Sequence, residues 1–398
     1  MNRILRFGTS LLVTHWVWLV PSLVLVLISP WSLTNFDSTR DFIVAHRIID
    51  NFDLPVLGPL LAFSFHIGPW WYYVMALPIL LTGSWLGMAI MVALLNSLKF
   101  LLAFRIGCLI KDKMLGQLLV LVLLLVSLTY MQTVTFTHTS VVETCMLLML
   151  YVTVKTKLLT PWHWMLFGLC TGLAFHSHPT AILIGFFALF PWFSGSNKGV
   201  RLLTFLIGLV LIVFPMLYQE FTTTSDLSSG MGSYFDQQSG GLNLMDLPAL
   251  WYGLLFSGPM GILTINLPNY LIIIIIIIQL MIQAAALTLP WLVWQSANDQ
   301  IKRWYLHSWA FFILSSIGIL LIRDRTPWYM TYGLSLSFSL VVAFGLSLAM
   351  ASLLEKFLAA LLLVFRFSCL AHLLTWSIII LSYFIHNTCL FASMAHRV

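Results

Sequence analysis

NFDSTRDFIVAHRIIDNFDLPVLGPLLAFSFHIGPWWYY, residues 35–73, carries four of the thirteen acidic residues of the chain: Asp37, Asp41, Asp50 and Asp53. Its first half interleaves those acids with Arg40, His46 and Arg47, a density of charge that hydrocarbon does not tolerate. Phe42, Ile43, Ala45, Ile48 and Ile49 nevertheless recur at helical spacing, with Asp37 or Ser38 placed to cap the start. The pattern predicts an amphipathic helix lying on a membrane interface. Pro55, Gly58 and Pro59 then break the chain, and Pro69 precedes a Trp-Trp-Tyr-Tyr cluster of the kind found at headgroup depth. The segment 70–82 falls short of the ~20 residues needed to cross ~30 Å of hydrocarbon, so it reads as a second interfacial helix.

Outside this stretch the chain is mostly apolar. Of its 398 residues 60% are hydrophobic and 8% charged, with a mean hydropathy of +0.98, against about 25% charged residues in soluble domains. Repeated apolar runs of helical length predict an all-α polytopic membrane protein, a single integral domain over 1–398. The net charge of +6 comes from short Lys and Arg clusters between apolar runs, as orientation signals do, and no basic-aromatic patch points to nucleic acid. Cys108, Cys145, Cys170, Cys369 and Cys389 show neither paired nor metal-ligand spacing and read as small core residues.

The basic start, Arg3 and Arg6, precedes a first helix (about 8–31) with no clear cleavage site, which places the N-terminus in the cytoplasm. The segment 32–85 is then a first outer loop. Alternating spans follow at about 86–108, 115–133, 142–154, a hairpin over 161–194, 201–218, 267–294, 304–322, a span descending to Glu355, and 357–385, making about eleven in all. Cytoplasmic segments hold Arg105, Lys111, Lys113, Lys155, Lys157, Lys198, Arg201, Lys302, Arg303 and Lys356, while most acids fall outside. The Ser-, Gly- and Gln-rich segment 219–262 reads as a mobile outer loop. Seven consecutive isoleucines, Ile272 to Ile278, supply only lipid-compatible surface.

Few groups remain to carry chemistry. Asp37 and Asp41 share a helix face with Arg40 beside them, either as a reactive pair or as charges that keep the helix out of the lipid. His176 and His178 flank Ser177 at the tip of a helical hairpin. A metal site and contact of a protonated imidazole with phosphate are both open to them, alongside plain polar residues at a wet helix junction. Arg323, Asp324 and Arg325 precede Pro327, Trp328 and Tyr329 at an outer helix end, where guanidinium suits a lipid phosphate or simple interfacial anchoring. Glu143, near Thr135, Thr137, His138 and Thr139, is a carboxylate at a helix start that either caps it or faces the outer side.

With these residues in place, the chain resembles the membrane-embedded glycosyltransferases of the GT-C superfamily, in the branch of the protein mannosyltransferases and bacterial aminoarabinose transferases. DSTRDFIVAHRIIDNFDLP (37–55) fits the family's first outer loop, and Gly58-Pro59 with HIGPWWYY (66–73) fits the turn and aromatic cluster after it. Of the usual acid-or-His, basic residue and two prolines, the chain keeps His66 and Pro69. The resemblance implies a GT-C-like fold and inverting transfer of a sugar from a polyprenyl-phosphate donor to a lipid, glycan or protein acceptor at the outer face. It implies that Asp37 is the general base, with Asp41 and Glu143 as further catalytic carboxylates. It implies that Arg40, Arg323, Arg325 and His178 contact donor phosphate, and that His66 and His176 contact substrate or a metal. A divalent metal is left open, and a bacterial inner membrane is the expected location. A lipid-linked sugar transporter would favour midplane sites and internal repeats, which the sequence lacks. A polysaccharide polymerase would place arginines in the loop after residue 219, where none occurs before Ile301.

Overall fold

The computed structural model describes residues 2–31, 36–61, 65–125, 138–156, 159–178, 197–222, 269–292, 298–320 and 331–350, with isolated positions at 181, 230, 232, 233 and 294. Among the described residues the chain is helical apart from one two-residue strand pair. The helices are α1 (Asn2–Ile28), α2 (Phe36–Asn51), α3 (Trp70–Thr82), α4 (Trp85–Ile110), α5 (Lys113–Leu125), α6 (Val142–Lys155), α7 (Pro161–Ser177), α8 (Lys198–Thr222), α9 (Asn269–Leu292), α10 (Asp299–Leu320) and α11 (Thr331–Met350). Strands β1 (Leu60–Leu61) and β2 (Phe65–His66) pair antiparallel, Leu60 opposite His66. Among the described residues two helices, α4 and α8, are long and apolar enough to cross a membrane by length and composition. The expected spans at 357–385 and in the second half of the 161–194 hairpin lie outside the described residues, as does most of 219–262.

Helices form over both segments of 36–82 where the sequence predicts them. α2 starts one residue before Asp37, which therefore sits in the first helical turn rather than capping it. α3 stops after 13 residues because Gly83 takes a left-handed conformation (φ 62°) and returns its N–H to the Ile79 carbonyl. The apolar stripe of α2, Ala45 and Ile48, packs on Trp71, Tyr72, Met75, Ala76 and Ile79 of α3. Met88, Ala89 and Val92 of α4 close this small core from the other side. Two members of the Trp-Trp-Tyr-Tyr cluster face the protein interior. Trp71 and Tyr72 are buried, and Trp70 donates to the Ile212 carbonyl of α8 at 2.6 Å.

α4 is the central post, packed against α1, α3, α5 and α6, and α11 plays the same part for α5, α9 and α10. In hydrocarbon, helix association draws little from the hydrophobic effect and depends on close fit, so small residues mark the contacts. A Cβ at Gly168 or at Gly208 would strike the backbone of the facing helix, so α7 and α8 meet along a Gly168-xxx-Gly172 face. The opposite side of α8, with Leu203, Ile207, Val210 and Phe214, is exposed and apolar. A face of this size and composition suits lipid rather than water.

Candidate active site

Helical spacing brings Asp37, Arg40 and Asp41 onto one side of α2, and the guanidinium fork of Arg40 joins both carboxylates. Arg40 Nη1 donates to Asp37 Oδ1 at 2.7 Å. Its Nε and Nη2 donate to Asp41 Oδ1 at 2.9 and 2.7 Å. The three side chains differ sharply in exposure: 38% for Asp37, 21% for Arg40 and 0% for Asp41. Asp37 is therefore the carboxylate open to a substrate, while Asp41 is sealed between α2 and its neighbours.

Asp41 is held on its other side by α3, whose Trp71 Nε1 donates to Oδ2 at 2.8 Å. His138, in a short 3-10 turn (His138–Val141) before α6, points Nδ1 at the same oxygen from 4.0 Å, beyond hydrogen-bond range. Burial pushes the Asp41 carboxyl up to about 7, outweighing the opposing pull of Arg40. Burial likewise pushes His138 down to about 3, with the charge of Arg40 adding to the effect, so its imidazole is neutral near pH 7.

The histidines of the hairpin tip lie inside the protein. His176, at the end of α7, is buried with both ring nitrogens unpartnered, and Gly68 rests directly on its ring: a Cβ there would overlap the imidazole. Gly68 thus occupies one side of the imidazole that the resemblance assigns to substrate or metal contact. His178 is buried beside His138. Burial, with a smaller contribution from His138, pushes it down to about 3. A neutral imidazole lacks the charge that made phosphate contact attractive. His66 bonds through Nδ1 with the Gly58 carbonyl at 2.7 Å and pins the same turn. Gly58 and Gly68 cross there so closely that a Cβ on Gly58 would overlap the Gly68 carbonyl. Among the described residues no three His, Cys, Asp or Glu side chains converge to hold a metal ion.

Glu143 pairs with a lysine rather than with Arg40. It is neither an exposed outer acid nor a simple cap: Lys99 of α4 donates to its Oε2 at 2.8 Å, with the two side chains 1% and 3% exposed. Arg323 and Arg325 lie outside the described residues. The sequence reading missed Trp71 and Lys99 as partners of the acids, and His138 as a neighbour of Asp41. Trp71 followed a proline in an aromatic run that suggested headgroup anchoring, and Lys99 showed only as an isolated charge in an apolar span. That isolation was the available signal, because a lone charge in a span calls for a partner.

No protein-family model matches the chain, and no curated protein matches it. Solved structures do: it is similar to ArnT from Cupriavidus metallidurans bound to undecaprenyl phosphate, with a TM-score of 0.59 and 13% identity over 84% of this chain. It is also similar to the apo state of that protein, with a TM-score of 0.57 at the same identity and coverage. The chain spans 60% of the length of the ArnT chain. At this identity the likeness is one of fold: the chain shares the fold of ArnT, in keeping with the resemblance carried by residues 37–73.

Proposed function

We propose that the chain is a glycosyltransferase that moves a sugar from a polyprenyl-phosphate donor to an acceptor at the outer face of the membrane. The observation that carries the reading is the Asp37–Arg40–Asp41 constellation. It presents one half-exposed carboxylate at the start of an interfacial helix, on a fold shared with a protein whose structure holds undecaprenyl phosphate. In this reading Asp37 takes the proton of an acceptor hydroxyl, the oxygen attacks the anomeric carbon, and the bond to the lipid phosphate breaks with inversion. Arg323 and Arg325 are the proposed partners of the leaving phosphate. About eleven spans, a cytoplasmic N-terminus and a bacterial inner membrane complete the proposal.

Purified protein incubated with radiolabelled polyprenyl-phosphate sugars and candidate acceptors tests it. Label should leave the lipid with wild-type protein, and Asp37→Asn should lower turnover by about 10²- to 10⁴-fold while remaining folded. Transfer by Asp37→Asn at the wild-type rate would remove Asp37 from its role. Absence of transfer from every donor would remove the function.

A further inference from the structure

Asp37 and Asp41 look equivalent in the sequence, and the structure separates them. Asp41 has no exposed surface, and its oxygens take bonds from Arg40 Nε, Arg40 Nη2 and Trp71 Nε1. Arg40 in turn spends Nε and Nη2 on Asp41 and Nη1 on Asp37 Oδ1. Among the described residues Asp37 Oδ2 has no partner, and it belongs to the exposed carboxylate of the pair.

We infer that Asp41 and Trp71 are positioning residues: they fix the Arg40 guanidinium from behind so that its remaining edge holds Asp37 in one orientation, with Oδ2 turned to the substrate. The inference rests on the proposed role of Asp37 and deepens it. Asp41 is then no second reacting carboxylate, and the first task of Arg40 is to join the two carboxylates, on which Nε, Nη1 and Nη2 each spend a donor. A planar fork is needed for the task. The compact ammonium of a lysine cannot span Asp41 Oδ1 and Asp37 Oδ1 with the same fixed geometry. Trp71 lies 30 residues from Asp41 in the chain, so packing of α3 on α2 sets the orientation of the base. Misplacing a reacting group by about 1 Å costs on the order of 10²-fold in rate.

The test uses the full-length protein in detergent with a polyprenyl-phosphate sugar as donor. Trp71→Phe keeps an aromatic ring but removes the N–H together with part of the indole, and Asp41→Asn keeps the size of the side chain. Both should lower kcat by about 10- to 100-fold with donor KM within about threefold of wild type, and Arg40→Lys should behave alike. A rise in donor KM at unchanged kcat for Arg40→Lys would return Arg40 to phosphate binding and overturn the inference. So would wild-type kcat in Trp71→Phe.

A stability cycle reads the clamp without turnover. Because Asp41→Leu removes both acceptor oxygens, Asp41→Leu/Trp71→Phe should melt no lower than Asp41→Leu alone. Additive losses would refute the clamp even in a protein that transfers sugar. Non-additive losses in a protein that transfers none would uphold the clamp and refute the proposed function alone.

Discussion

The buried pair Lys99–Glu143 separates a structural role from a reactive one for the second carboxylate that the family resemblance singles out. Glu143→Leu removes the partner of an ammonium that is 1% exposed and 2.8 Å from Glu143 Oε2. Lys99 then stays buried without its carboxylate, so little of the penalty is screened. Breaking a buried pair on one side costs about 3–5 kcal/mol, which is roughly 100- to 5,000-fold in the ratio of folded to unfolded protein. Lys99→Met should cost a similar amount. Removing both charges should cost far less than the sum, from near neutral to about 1–4 kcal/mol stabilising, because desolvation of two ions is no longer opposed by one contact. Unfolding in mixed micelles titrated with SDS, followed by circular dichroism, measures all four corners of the cycle. Additive losses, or a single substitution costing under about 1 kcal/mol, would refute the assignment of the pair to bundle stability. Sugar transfer divides the two roles: Lys99→Met/Glu143→Leu should retain it if Glu143 only ties α6 to α4. Its abolition in a stable double variant would show that Glu143 takes part in the reaction.

Three further outcomes follow from the packing. Gly68→Ala should destabilise the protein by about 1–3 kcal/mol, since its Cβ overlaps the His176 ring, and His176→Ala should restore part of the loss in a melting experiment; equal melting of wild type and Gly68→Ala would refute the contact. Gly168→Ala should cost a similar amount by forcing α7 away from the Phe205 carbonyl of α8, whereas Gly199→Ala, with nothing within 4 Å, should be neutral or stabilising. The third concerns pH. Asp41 sits at about 7 when folded against an ordinary 3.8, so the folded protein binds this proton more tightly than the unfolded chain does. The resulting stability is whole below about pH 4 and is lost as pH rises through about 7. Melting curves of wild type across that window should show this fall, and those of Asp41→Asn should lack it; parallel curves would refute the assignment.

How much of this was legible in the sequence depends on the range of the interaction. The amphipathic stripe of α2, the short α3 ended at Gly83 and the unbroken apolar run of α4 were all readable, because periodicity, turn residues and length act over a few positions. The proximity of Asp37, Arg40 and Asp41 was readable for the same reason, since one helical turn brings them together. Opposite fates for the two acids were not readable. Asp41 is buried by Trp71, 30 residues away, and Glu143 is matched by Lys99, 44 residues away. A helix pattern tells which face is apolar but carries no information on which helix will cover it. The sequence by itself therefore determined an apolar helical chain with one acid-rich amphipathic helix. Tertiary structure alone decided which of its carboxylates stays exposed, because desolvation and partner choice arise only when separate helices close on each other.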